Sequence, residues 1–316
     1  MIESNESRQH YLFAILLFIA GLLIILIFLT VRSQADDTTA SASVSNATPT
    51  IDSVTIAEST GGADSDAITP VAGSTKTVYV HGAFHDDNGC AEVTAAAQGV
   101  KVLLYSPNTT SSCDTDNADC YENDGGVACS YTNCAGGTDT VANYECQFAL
   151  QYYADPGDWT AYVTANDGTA TSTADSSNTT TLAEITGISL SGSINYGGVS
   201  LGGTSTIGTG STISMSNKGN VTEDYRFSGS NMTCDVGTVD VGQQHYASGL
   251  GGINSSTAYA SLYALGSSAS TVQHDMAKAT ASAQSTTSSY WQITLPSNGV
   301  SGTCTGTITV TGIKSV

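Results

Sequence analysis

Charge is what this chain has least of. Only 11 % of its 316 residues are Asp, Glu, Lys or Arg, against about 25 % in ordinary globular proteins. Basic residues are the scarcest, with 8 Lys and Arg against 28 Asp and Glu and a formal net charge of -20. No Lys/Arg cluster is present to neutralise phosphates, which excludes nucleic acid as a partner. The same shortage disfavours docking onto an anionic lipid surface and suits a solvated exterior that attracts divalent cations.

Catalytic signatures are missing as well. Gly198-Val199-Ser200-Leu201-Gly202 matches G-x-S-x-G, but a nucleophile elbow sits between a buried strand and a helix, and Gly203-Thr204-Ser205-Thr206 follows instead. In a chain with 33 glycines and abundant serine such a match arises by chance. A glycosidase would need a carboxylate pair on aromatic-rich strands, for which Glu145 with Asp155 or Asp158 is a poor substitute. His245 and His274 are expected at the surface. Leu295-Pro296-Ser297-Asn298-Gly299 lacks the Thr of a sortase signal and reads as an inter-strand turn. The expectation is a protein that is not an enzyme.

The chain does contain one long apolar run. Tyr11 to Val31, YLFAILLFIAGLLIILIFLTV, is 21 residues without a charge, enough at about 1.5 Å per residue to cross a hydrocarbon core of ~30 Å. A cleaved signal peptide is the alternative, with small residues before a cleavage point after Ala35, but its apolar region usually spans only about 7–15 residues. A retained single-pass anchor is therefore expected over 11–31, following a cytoplasmic segment 1–10. Arg8 and Arg32 nearly balance across it, so orientation comes from what lies downstream.

Downstream lie all 8 cysteines and the Asn-x-Ser/Thr sequons at Asn46, Asn108, Asn178, Asn220, Asn231 and Asn254. Both suit an oxidising, glycosylating exterior. The C-terminal part is accordingly expected outside the cell membrane and the N-terminus inside.

Residues 32–49 have almost no apolar content beyond alanine and Val44, and read as a flexible stalk. Beyond it the remaining length allows two domains. Short β-type runs follow around Ile51–Ile56, Val78–Val80, Val100–Leu104, Tyr144–Tyr153 and Trp159–Val163, separated by turn-forming groups such as Asp86-Asp87-Asn88-Gly89 and Asp155-Pro156-Gly157-Asp158. A second set begins near Ile185 and includes Ser211–Met215, Asp224–Phe227, Tyr290–Leu295 and Thr305–Ile313. His274–Gln284 is Ala-rich enough to compete as a helix, although its apolar stripe is poor. The fold class is thus an all-β ectodomain, with a disulfide-rich β-sandwich over 50–183 and a second over 184–316. Trp159 and Trp291 are expected in the sandwich cores rather than on a sugar-binding face.

Cys234 and Cys304 are the only cysteines of the second half, so an oxidised domain there pairs them. The first half holds Cys90, Cys113, Cys120, Cys129, Cys134 and Cys146, which allow about 15 connectivities; Cys90 with Cys146 is the expected framework bridge, the others stapling the intervening loop. No C-x2-C pair occurs and the histidines nearest by sequence are His81 and His85, so disulfides are preferred to zinc.

The acidic loop between Cys113 and Gly125 carries Asp114, Asp116, Asp119, Glu122 and Asp124, and oxygen ligands at that density are candidates for Ca²⁺. It is not an EF-hand, since Asp119 stands where Gly is needed and Gly125 where Glu is needed. A second acidic turn, His85-Asp86-Asp87-Asn88-Gly89, resembles the Asp/Asn-rich turns of calcium-binding adhesion modules, with Asp155, Asp158 and Asp167 available from other turns; plain turn chemistry is the preferred explanation.

The stretch Tyr290–Pro296, followed by Gly302-Thr303-Cys304-Thr305-Gly306-Thr307-Ile308-Thr309-Val310, resembles the closing strands of immunoglobulin-like modules in archaeal and bacterial surface proteins, and Asn217–Asn220 with Asp224–Gly229 fits that likeness. It covers most of 185–316 and is weaker over 50–180. It implies a surface module and carries no catalytic residue across. The expected function is a non-enzymatic, membrane-anchored envelope or adhesion protein that meets other cell-surface proteins or glycans. The alternatives are a pilin-like filament subunit, weakened by the polar stalk and by the lack of an early Glu in the apolar run, and a secreted carbohydrate-binding or hydrolytic protein.

Overall fold

The computed structural model describes residues 5–30, 39–95, 99–109, 117–123, 129–136, 138–206, 211–248, 259–280 and 283–316. The chain divides into two units, Met1–Ser45 and Asn46–Val316.

The first unit contains helix α1, Asn5–Thr30, 26 residues long. Within it Arg8–Ile27 has a mean hydropathy of 2.8 and none of it is buried against protein. Leu, Ile and Phe occupy every side of the cylinder, so the helix has no polar face to turn to water. By length and composition it is able to cross a membrane.

The second unit is all-β, built of several sheets. Its first half comprises β1 (Thr50–Ala57), β2 (Ala67–Ile68), β3 (Thr75–His85), the short helix α2 (Cys90–Ala95), β4 (Val100–Tyr105), β5 (Cys120–Glu122), β6 (Ser130–Thr132), β7 (Val141–Gln151), β8 (Gly157–Asn166), β9 (Thr171–Asp175) and β10 (Thr180–Leu182). One sheet runs β1-β3-β7-β6 and the other β2-β10-β8-β4-β5, with β9 also on β8. Alternate residues of β7 (Ala142, Tyr144, Cys146, Phe148, Leu150) and of β8 (Trp159, Ala161, Val163, Ala165) are buried, the period of two that puts one face of each strand inward. One core cluster draws on both sheets.

The second half comprises β11 (Ile188–Ile194), β12 (Ser211–Asn217), β13 (Glu223–Gly229), β14 (Met232–Val236), β15 (Thr238–Val239), β16 (Gln244–Ser248), β17 (Tyr263–Ala264), β18 (Ser270–Met276), β19 (Thr286–Ile293), β20 (Ser301–Thr305) and β21 (Ile308–Lys314). They form the sheets β11-β12-β19-β16-β17, β18-β13-β21 and β15-β14-β20. The core here is aromatic: Phe227 lies 4.6 Å from Tyr246 and 5.6 Å from Trp291, ring centre to ring centre. Both tryptophans are buried. His274, expected at the surface, is buried instead, because β18 continues through it and turns its ring against Tyr225 at 5.6 Å. The first part of His274–Gln284 is therefore strand, and the rest of its described residues are irregular.

No described strand pairs across the two halves, yet the halves touch. Gly73 N–H donates to the Lys218 carbonyl (2.9 Å), the Gln284 side chain donates to the Tyr152 hydroxyl (3.2 Å), and Lys278 forms an ion pair with Asp155 and donates to the Tyr153 carbonyl.

The disulfide framework differs from the expected one. Cys90 joins Cys134 and Cys129 joins Cys146, so Cys90 does not pair with Cys146. Hairpin register explains the exchange: Ser130 on β6 faces Glu145 on β7, which sets the preceding Cys129 across from Cys146, while Cys134 just beyond β6 reaches α2. Cys234 and Cys304 stand opposite one another on β14 and β20 and are joined. Cys120 is also disulfide-bonded; Cys113 lies outside the described residues.

Candidate metal centre

Three acidic side chains from separate elements converge at one place in the first half. Asp86 follows β3, Glu92 sits in the first turn of α2, and Asp167 opens the turn between β8 and β9. One oxygen from each lies within 4.8 Å of the other two. Among the described residues this is the group of acidic and metal-binding side chains close enough to share an ion.

Each member is held by the local chain. The turn Asp86–Gly89 closes with the Gly89 N–H on the Asp86 carbonyl (3.0 Å), and the Asp86 N–H donates to the Thr140 carbonyl (2.8 Å). Asn88 N–H donates to Asp86 Oδ1 (2.9 Å). Glu92 is carried by α2, which the Cys90–Cys134 bridge and the Cys90 N–H to Asp139 carbonyl bond (2.8 Å) fix against the β6–β7 connection. Asp167 Oδ1 accepts the N–H groups of Thr169 and Ala170, both at 2.6 Å, and its Oδ2 accepts the Asn46 side-chain amide at 2.8 Å.

Electrostatics separate the three. Burial works against ionisation of Asp167, but the bonds from Ala170, Asn46 and Thr169 outweigh it and hold the carboxyl below its usual range. Asp86 is fully buried, and its Oδ2 has no hydrogen-bond partner. Glu92 is exposed. None of the three has a basic partner among the described residues. Two unit negative charges 4.8 Å apart repel by about 3.5 kcal/mol at an effective dielectric near 20. A buried carboxylate beside another, with a lone oxygen unsatisfied, is a costly arrangement in the absence of a counter-charge.

Other expected site residues are placed differently. Asp119 accepts the Ser106 hydroxyl (3.3 Å) and Glu122 lies on β5; Asp114, Asp116 and Asp124 lie outside the described residues, as does Asn254 among the sequons. Asn46, Asn108, Asn178 and Asn231 are exposed. Asn220 is not: it is buried, its amide donates to the Ala183 carbonyl (3.0 Å) and its oxygen accepts Ile185 N–H (2.8 Å). That fold leaves no room for a glycan at Asn220. Ser200 is exposed in a loop, and the described residues that follow it, 201–206, form no helix; Asp155 is held by Lys278.

Asp86 and Asp167 were both visible as turn residues, whereas Glu92 was not. Its only signal is position, two residues past a cysteine whose partner sequence alone does not identify.

No family model matches the chain, and no curated protein matches it. Among solved structures, one similar chain belongs to a chaperone–tip adhesin complex described as vital for synergistic activation of CFA/I fimbriae biogenesis. It is 10 % identical, the match covers 84 % of this chain and 85 % of that chain, and the TM-score is 0.26. A TM-score of that size does not establish a common fold.

Proposed function

We propose that this is a non-enzymatic surface protein held by α1 as a single-pass anchor, with the N-terminus inside the cell and two tandem immunoglobulin-like β-sandwich modules, 50–183 and 184–316, outside. The observation that carries the proposal is the state of the cysteines: every described one is in a disulfide, and all of them follow the apolar helix. Disulfides persist in oxidising compartments and are rare where thiols are kept reduced. The apolar part of α1, with large side chains exposed on every side, Phe18 at 74 % and Leu16 at 66 %, loses the cost of that exposure only in lipid or against a partner. The low charge and the hydroxyl- and amide-rich surface fit a module that meets other surface proteins or glycans.

The test is protease shaving of intact cells carrying a tag at each end. Loss of the C-terminal tag with retention of the N-terminal one in the membrane fraction is the expected result. Protection of both tags, loss of the N-terminal tag alone, or free thiols in the mature chain would remove the proposal; release of an untethered product into the medium would make α1 a cleaved signal.

A further inference from the structure

The geometry points to a Ca²⁺ site formed by Asp86, Glu92 and Asp167, which pins the first residues of the folded unit, Asn46 and Ala47, to the rest of it.

Two observations of different kinds lead there. The first is convergence: an oxygen from each carboxylate lies within 4.8 Å of the others, which is the span of a single Ca²⁺ shell, because two ligands on opposite sides of the ion are about 4.8 Å apart at ~2.4 Å per bond. Mg²⁺, with bonds of about 2.0–2.1 Å and a stricter octahedron, requires a tighter cluster. The second is Asp86, whose carboxylate is fully buried and keeps Oδ2 without any partner. The chain has withdrawn a carboxylate from water, given it no donor for that oxygen and placed two more carboxylates beside it. A hard divalent cation supplies what all three lack.

The supporting shell is already built. Asn88 N–H orients Asp86 through Oδ1, and the Thr169 and Ala170 N–H groups with the Asn46 amide orient Asp167, as bonded second-shell groups do for metal-ligating carboxylates. Three carboxylates, mono- or bidentate, leave the remaining positions of a six- to eight-coordinate shell to water.

Asn46 connects the site to the start of the unit. Its amide donates to Asp167 Oδ2, and the next residue, Ala47, donates its N–H to Asn88 Oδ1, the side chain two residues beyond Asp86. An ion that fixes Asp86 and Asp167 thereby fixes both anchors of 46–47. With one exposed ligand the affinity belongs to the weak extracellular class, about 10⁻⁴–10⁻³ M. Physiological use of such an affinity rests on the surface location proposed above, whereas binding itself does not.

The experiment uses the full chain in detergent, melted with 5 mM Ca²⁺, with 5 mM Mg²⁺ and with chelator, for the wild type, Glu92→Gln and Asp86→Asn. Ca²⁺ is expected to raise the wild-type Tm by about 2–4 °C, Mg²⁺ by less, and to slow amide exchange at Ala47. Glu92→Gln removes one of the three converging charges, so in chelator it should melt at or above the wild-type temperature, while its Ca²⁺ midpoint rises at least about five-fold. Asp86→Asn should lose the response altogether; if it fails to fold, Glu92→Gln still decides. A wild-type Tm unmoved by Ca²⁺, or a rise undiminished in Glu92→Gln, would overturn the site, the second outcome pointing to ligands elsewhere. Neither bears on membrane orientation, which the protease experiment reads separately.

Discussion

The two halves of the folded unit reach similar sheet-rich architecture by different means. In the first, inward positions of β3, β4, β7 and β8 are mostly small or aliphatic, among them Val78, Val80, Val102, Ala142, Ala161, Val163 and Ala165, and the Cys90–Cys134 and Cys129–Cys146 bridges cross-link that core. In the second, one bridge joins β14 to β20 near a small satellite cluster, and the main core is a set of stacked and edge-on rings, Tyr225, Phe227, Tyr246 and Trp291. The first-half core also holds the rings of Phe84, Tyr121, Tyr144, Phe148 and Trp159, so there the bridges add restriction of the unfolded chain to extensive packing. Large rings bury much, so the second half relies on packing.

The sharpest way to break the comparison is to remove the staples. In the chain-entropy model the Cys90–Cys134 loop, separated by 44 residues, contributes about 4 kcal/mol, and Cys129–Cys146, separated by 17, about 3 kcal/mol. Cys129→Ala with Cys146→Ala should lower the stability of the first half by roughly the smaller figure, and removing both bridges should unfold it. Each half holds one of the chain's 2 tryptophans, so Trp159 fluorescence reports this loss. An unchanged Trp159 transition would mean that the packed core is sufficient without these two bridges.

Trp291→Ala addresses the second half. The side chain is fully buried, and its indole N–H donates to the Ser289 hydroxyl at 2.8 Å. Truncation should cost about 3–5 kcal/mol. With Trp159 as the remaining reporter, denaturant unfolding shows whether the loss spreads. A cost under about 1 kcal/mol would contradict the assignment of stability to the ring cluster.

Much of this contrast was legible from sequence, for identifiable reasons. Strict alternation on β7 and β8, and the turn groups at Asp86–Gly89 and Pro296–Gly299, announce strands through local patterns alone. The lone pair Cys234 and Cys304 leaves one intradomain partner. What was hidden depends on register or on distant neighbours. The partner of Cys146 follows from which residue of β6 faces Glu145, and a one-residue slip would change it. Helix α2 is six residues long without an apolar period, held in place by its bridge. The burial of His274 and Asn220 is set by strands and turns elsewhere in the chain. Glu92 has no motif.

Glu223 is another residue that sequence does not mark. It is fully buried at the start of β13, its Oε1 accepts Gly187 N–H at 2.7 Å, and its Oε2 has no partner. Gly219 and Gly312 flank it, and a Cβ at either would come within 2.4 Å of a carboxylate oxygen. Burial raises its pKa from 4.5 to about 7, against the smaller lowering effect of the Gly187 bond. The folded state then holds a proton that the unfolded chain releases between those values, so this group's contribution to stability falls as pH rises from about 4.5 to 7 and is level above. Burial lowers the pKa of His274, more than Asp224 and Asp275 raise it, and its slope has the opposite sign. The difference between wild type and Glu223→Gln isolates the carboxyl: the variant should gain about 1–3 kcal/mol relative to wild type between pH 5 and 8. Parallel stability curves would show that Glu223 does not titrate in that range.

The smallest expected effect concerns whether the halves behave as one body. Lys278, in the irregular segment after β18, reaches Asp155 in the β7–β8 turn, both side chains mostly buried at 26 % and 18 % exposed, and also donates to the Tyr153 carbonyl at 3.3 Å. Among the described residues Asp155 has one other side-chain bond, from the Asn108 amide at 3.3 Å. Lys278→Met keeps the apolar stem and removes the charge, leaving Asp155 with the Asn108 bond alone; a loss of about 1–2 kcal/mol is expected for a partly buried pair. The cost falls on the contact between halves rather than on either core. Wild-type protein should therefore melt in one calorimetric transition, and the variant in two. A single shared transition in the variant would assign the coupling to the Gly73–Lys218 and Gln284–Tyr152 bonds, which Gln284→Ala then tests. Two transitions in the wild type would mean that the stapled half and the aromatic half fold independently despite their contact.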